Sequence, residues 1–168
     1  MNAPDPRVAA RYLGLILEYR QTRLGEMFQL LGAIEAPCAR QLATRHTPGD
    51  IGRLHEALAT EAAAKGDARA LAEAEASFHA TLVELSGNRA VTALSETLQC
   101  VFYDAGSPHV ATARKGRTRA DQDVHAKLVE LVQAGKADEA EAHWLAHIAA
   151  MEKEISASGA NTRLELLD

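Results

Sequence analysis

The sequence predicts an all-α fold, an antiparallel bundle with short connections. Apolar residues make up 47% of the 168-residue chain, with Ala and Leu prominent, while aromatics are only 4%. That balance favours helices packed on helices; a sheet draws more on Val, Ile, Tyr and Phe. Seven segments repeat their apolar residues with helical period, and turn residues punctuate them at short intervals. The length suits one domain with a real core and leaves little room for a second.

The first segment, residues 6–19, is short and moderately amphipathic. The second, residues 24–44, gathers Met27, Leu30, Leu31, Ile34 and Cys38 on one side. Pro37 is expected to kink it or force a local break, because proline has no N–H to give and crowds the preceding turn. The third opens on a clear start signal: Thr47 to cap, Pro48 for the first turn, and Asp50 to suit the helix dipole. It runs to about Lys65 and stops at Gly66. Asp67 then caps the fourth helix, which ends at Ser86-Gly87-Asn88. The fifth spans residues 90–103. The polar stretch DAGSPHVATARKGRTR reads as a loop. A sixth helix, residues 120–134, ends at Gly135, and a seventh, residues 138–156, precedes a polar tail.

Charge and cysteine content narrow the function. The net charge is −5, without the basic stripe of a nucleic-acid footprint, so any DNA contact would have to be made by other residues. Cys38 and Cys100 lack CxxC spacing and read as small buried apolar residues in a reduced compartment, for which the cytoplasm is the simplest choice. There is no signal peptide and no apolar run long enough to span a bilayer, so no membrane partner is expected.

Three helices carry a polar pair four residues apart: Glu75/His79, Asp121/His125 and His143/His147. At that spacing both side chains lie on one helical face and can reach one metal ion. A lone histidine on an apolar face is more often a packed core residue, and a Glu/His pair is more often a surface ion pair. Three histidines near the inner faces of three helices, with a carboxylate beside one, shift that balance toward a metal. His79 follows Phe78 and lies one turn before Leu82. His125 precedes Leu128 and Val129. Of His143 and His147, periodicity lets either point inward. His46 and His55 look like surface residues, and His109 falls in the loop, as a gate or without a role.

Several stretches also resemble a known pattern. ASFHATLVELSGNRAV is similar to the part of the FadR-type C-terminal (FCD) domain where an acidic residue, then Phe-His, precede a Ser-Gly-Asn turn. DVHAKLVELVQAGKADEAEAHWLAHI resembles that domain's ending, and LGEMFQLLGAIEAPCARQLA its first long helix. These stretches occur in the right order over nearly the whole chain. The resemblance implies the effector-binding and dimerising half of a GntR-family transcriptional regulator, a bundle of six to seven helices around a central ligand and metal cavity. It implies residues 1–22 as linker and short N-terminal helix, residues 23–158 as the FCD-like domain, and residues 159–168 as a tail. A winged helix-turn-helix domain is expected upstream and is absent from this sequence, so DNA would be reached only through it.

Carried over by position, the resemblance makes Glu75, His79, His125 and His147 the metal ligands and chooses His147 over His143. Glu75 stands where relatives usually have Asp. Leu31 stands where they often carry an Arg one turn before the glutamate, here Glu35. Arg119 and Asn88 are the expected ligand-binding residues, with Arg114, Lys115 and Arg117 as further substitutes for the missing Arg. Imidazoles and a carboxylate suit a divalent ion, zinc or nickel first, then manganese or iron. Each histidine should have an acceptor on its other nitrogen, for which Glu84, Asp121 and Gln122 are candidates. The expected partners are a small carboxylate effector and a second copy of the chain. An enzyme is not expected, because no general base stands at a fixed spacing from the cluster. The competing readings are a metal-dependent enzyme on a helical bundle and a metal-free dimerisation bundle.

Overall fold

The structure is a computed structural model that describes residues 5–104, 119–157 and 163–164, with the side chains of 103–104 and 119–122 left aside. It is all-α. Among the described residues seven helices follow in order: α1 (Pro6–Tyr19), α2 (Leu24–Arg45), α3 (Pro48–Ala63), α4 (Ala68–Leu85), α5 (Arg89–Asp104), α6 (Arg119–Gln133) and α7 (Ala137–Ala157). An isolated bridge between Arg23 and Arg163 is the one β-type pairing among the described residues. His109, Arg114, Lys115 and Arg117 lie outside the described residues.

Local chemistry sets the ends. At α3 the Thr47 hydroxyl accepts from the Asp50 N–H at 3.2 Å, and the Asp50 carboxylate accepts from the Thr47 N–H at 2.7 Å, a reciprocal capping box. Asp67 accepts from the backbone of Arg69 and Ala70 to start α4. Asn88 does the same for α5, accepting from Ala90 and Val91. At the end of α6, Lys136 N–H reaches the Leu131 carbonyl and Gly135 N–H reaches Val132, with Gly135 at a positive φ of 69°. This is a Schellman ending. The same pair of bonds closes α1, from Thr22 to Leu17 and from Gln21 to Glu18, but there the left-handed residue is Gln21, at φ 57°.

α2 is the central helix. It packs along α7 and also against α4, α5 and α6; α3 lies on α4 and α6, and α1 on α5. Gly32 permits the close approach to α7, since a Cβ there would stand 3.2 Å from Leu145 Cδ1 and 3.4 Å from Ile148 Cγ2. The buried face of α2 runs through Leu24, Met27, Phe28, Leu31, Glu35, Cys38, Ala39 and Leu42. Leu30, expected on that face, is exposed, and Ile34 is half-buried. The stripe is rotated toward Phe28 and Glu35 because α2 is covered from several sides.

Pro37 does not break α2, which is continuous from Leu24 to Arg45. Pro37 and Ala33 are both exposed. The carbonyl that loses its partner therefore lies on the wet side, where water can replace the missing N–H.

Leu164 is buried, and its N–H donates to the Thr22 carbonyl at 2.9 Å. Leu164 thus anchors the described part of the chain's end against the α1–α2 turn. Cys38 is buried and Cys100 half-buried, both as free thiols. No helix among the described residues is long and apolar enough to cross a membrane.

Candidate metal centre

Eight polar or charged residues are buried among the described ones: Glu35, Glu61, Glu75, His79, Ser86, Ser95, His125 and His147. Six of them are the three histidines and three glutamates of one region, so the polar content of this core is concentrated there. Burying such groups is costly unless they pair or bind an ion.

The three histidines come from three helices. α4 supplies His79, α6 His125 and α7 His147. One ligating nitrogen from each can be chosen so that all lie within 4.8 Å of one another. His125 Nε2 and His147 Nε2 are 3.2 Å apart. Two nitrogens held by one tetrahedral zinc at its usual bond length stand about 3.3 Å apart, so the spacing fits a shared ion. Glu75 is buried on the same helix one turn before His79.

Aromatic packing fixes the rings. Phe78 stacks on His125 at 4.4 Å with an interplanar angle of 5°. The fully buried Trp144 sits 4.8 Å from His79, 5.3 Å from His125 and 4.9 Å from His147 between ring centroids. The histidines are therefore held among apolar walls rather than on a solvated face.

Two carboxylates hold the other sides of two rings. His79 Nδ1 donates to Glu35 Oε2 at 2.6 Å, and His125 Nδ1 donates to Glu61 Oε1 at 2.7 Å. Trp144 Nε1 also donates to Glu35 Oε2, at 3.0 Å. A carboxylate only accepts, so each Nδ1 carries the hydrogen and Nε2 keeps the lone pair.

These acceptors correct the sequence expectation. Glu84 is exposed and paired with Arg53 at 2.7 Å, so it serves no histidine. That guanidinium, hydrogen-bonded to Glu84, holds its carboxyl below the usual range. Asp121 and Gln122 have side chains outside the described set. The sequence patterns above do not single out Glu61, and they mark Glu35 only by its place one turn after Leu31. Both were legible as carboxylates in otherwise apolar helical stripes: Glu35 follows Leu31 by one turn, and Glu61 lies seven residues past Leu54.

The remaining candidates fall elsewhere. His143 Nε2 pairs with the Val124 carbonyl at 2.9 Å and ties α7 to α6. His46 is half-buried at the end of α2, its Nδ1 facing the Ala43 carbonyl at 3.3 Å, and His55 is exposed. Asn88 is exposed, with its side-chain oxygen engaged in capping α5. Arg119 opens α6, and its side chain is among those not described. Leu31 is buried in the apolar core.

A family model described as the FCD domain matches residues 26–150. That span holds all three histidines and Glu35, Glu61 and Glu75. No curated protein matches the chain.

Proposed function

The chain belongs to the FCD family, the FadR-type C-terminal domain of GntR-family regulators, and from that membership we propose that it senses a small carboxylate through a divalent metal centre. Domains of this family are effector-binding units of transcription regulators, and they bind small molecules and dimerise. The finer reading is that Glu75, His79, His125 and His147 hold the ion, zinc or nickel before manganese or iron. The observation that carries it is the convergence of three buried imidazoles from three helices within 4.8 Å.

The bound ion supplies the positive charge that attracts an anionic effector, a role that Leu31 cannot take over. The chain's own part is to orient the imidazoles, exclude bulk water with Phe78 and Trp144, and carry the state of the centre outward through α4, α6 and α7. An effector acts only through different affinity for two arrangements of those helices. In this reading a cavity beside the histidines receives the effector. Arg119, near the start of α6, is the candidate to meet its carboxylate, and Asn88 the second ligand-binding candidate. The readout is the spacing of two winged-helix domains upstream across a two-fold dimer.

The dimer contact is assigned to the outer face of α1. Val8, Tyr12, Ile16 and Tyr19 are all exposed there and recur at helical spacing, while Ala10 and Gly14 turn toward the bundle. An exposed apolar stripe of this kind marks an interaction surface.

The test is elemental analysis of the purified protein beside a Glu75→Ala, His79→Ala double variant, followed by titration of the loaded and metal-stripped protein with small mono-, di- and tricarboxylates. A stoichiometric divalent ion, lost in the variant, with carboxylate binding confined to the loaded form, is expected. A protein that takes up neither zinc nor nickel would leave a bundle whose ligands bind by hydrogen bonds alone.

A further inference from the structure

We propose that Glu35 and Glu61 are positioning residues that dictate how the ion is held: they commit His79 and His125 to ligation through Nε2 and raise the basicity of both rings. The inference rests on the metal reading above and goes beyond it, because neither glutamate is one of its ligands. It also assigns a function to α2 and α3, neither of which supplies a histidine to the centre.

Three observations carry it. Each carboxylate is 1% exposed and lies within hydrogen-bond distance of the Nδ1 of one histidine. Each comes from a different helix from its histidine, Glu35 from α2 to α4 and Glu61 from α3 to α6, so the pairs are tertiary rather than local. Among the described residues, Glu35 forms an ion pair with no Lys or Arg, and its Oε1 has no hydrogen-bond partner. A buried carboxylate so placed is a poor choice for stability alone, since an apolar residue of similar volume would avoid its desolvation. Its placement makes sense if its charge acts through the imidazole on a cation beyond it. A histidine that gives its second N–H to a carboxylate is fixed in tautomer and ring angle and becomes a stronger donor to a metal.

Trp144 joins the same device. Its indole N–H donates to the Glu35 oxygen that holds His79, and its ring faces all three histidines. As the single tryptophan of the chain it is also a built-in reporter of the centre.

The experiment compares the wild-type chain with Glu35→Gln and Glu61→Gln. Zinc affinity is measured by competition with a chromophoric chelator, and Trp144 fluorescence is followed in parallel. Glutamine keeps the size of the side chain but removes the charge. It can also turn its amide toward Nδ1, which would place the hydrogen on Nε2 and block the ion. Each variant is expected to bind zinc about 10–100-fold more weakly, while its metal-free melting temperature stays at or above that of the wild type. Glu84→Gln, the same charge change on an exposed residue, should leave the affinity unchanged. Long-range nitrogen–proton spectra of the zinc-loaded wild type should show His79 and His125 bound through Nε2 with hydrogen on Nδ1.

Wild-type affinity in both glutamine variants, or ligation through Nδ1, would overturn the positioning role and leave the metal reading standing. A wild-type chain that binds no zinc would overturn both. Should a glutamine variant fail to fold, Trp144→Phe removes one donor to Glu35 while keeping every ligand and an aromatic ring beside them. A few-fold loss of zinc affinity is expected there, and none at all would count against the role of Glu35.

Discussion

Trp144, His79 and Glu35 form a chain of contacts in which each side chain constrains the next. The indole holds the carboxylate, the carboxylate holds the imidazole, and the imidazole faces two more. At this scale the predictions concern single groups. His147→Ala should abolish zinc binding. His143→Ala, which removes only a bond to the Val124 carbonyl, should leave it within a few-fold. Cys38 offers a second check. Burial pushes its thiol up, with the nearby Glu35 charge adding to the effect. Cys38 should therefore resist alkylation at mildly alkaline pH in the folded protein and react freely once denatured, as read by mass spectrometry. The resemblance set out from the sequence led to the three histidines by position, but Glu61 carried no such mark. Its meaning appears only when α3 brings it to His125.

Helix ends and helix contacts are the next scale. α1 and α6 close with the same hydrogen bonds, yet one uses Gln21 and the other Gly135 in the left-handed position. Gln21→Gly should stabilise the protein by up to about 1 kcal/mol in urea unfolding, and Gly135→Ala should cost a similar amount. At the start of α3, Thr47→Ala should cost about 1 kcal/mol by removing the cap. The backbone N–H of Thr47 holds the Asp50 carboxyl below its ordinary value of 3.8, against the opposing effect of burial. Because the folded value is the lower one, this contribution is complete above the unfolded value and fades as pH falls through the folded one. Asp50→Asn should remove that part of the acid limb in a stability–pH profile. Where α2 meets α7, Gly32→Val would drive new methyl groups into Leu145 and Ile148, with an expected loss of about 1–3 kcal/mol. The capping residues of α3 and α4 and the glycine stops were legible because these signals are local. The unbroken course through Pro37 was not, since it depends on which side of α2 faces water.

For the molecule as a whole, the proposed centre would link five of the seven helices among the described residues: ligands on α4, α6 and α7, and acceptors on α2 and α3. If the centre holds an ion as proposed, removing it would leave the buried carboxylates of Glu35, Glu61 and Glu75 without a cation. Chelation should lower the melting temperature by roughly 10 °C relative to protein held at about a thousand-fold excess of free ion over its Kd. Calorimetry with and without chelator measures this directly. α1, packed on α5, presents Tyr12 and Ile16 to solvent. Tyr12→Glu with Ile16→Glu should shift the chain from dimer to monomer in sedimentation velocity while leaving zinc affinity unchanged. A variant that remains dimeric would place the contact on another face.

By itself the sequence determined the class of fold, the helices among the described residues and nearly all their boundaries, because period, caps and glycine stops act within a few residues of one another. Its histidine spacing also put His79 and His125 near inner faces. What only the tertiary structure decided was which faces meet. It turned Leu30 outward, set His143 to a backbone carbonyl and His147 beside His125, and delivered Glu35 and Glu61 to the imidazoles. Those pairings join residues 44 and 64 positions apart. Local propensity carries no information at that range; only the packing of α2 and α3 against the ligand-bearing helices selects them.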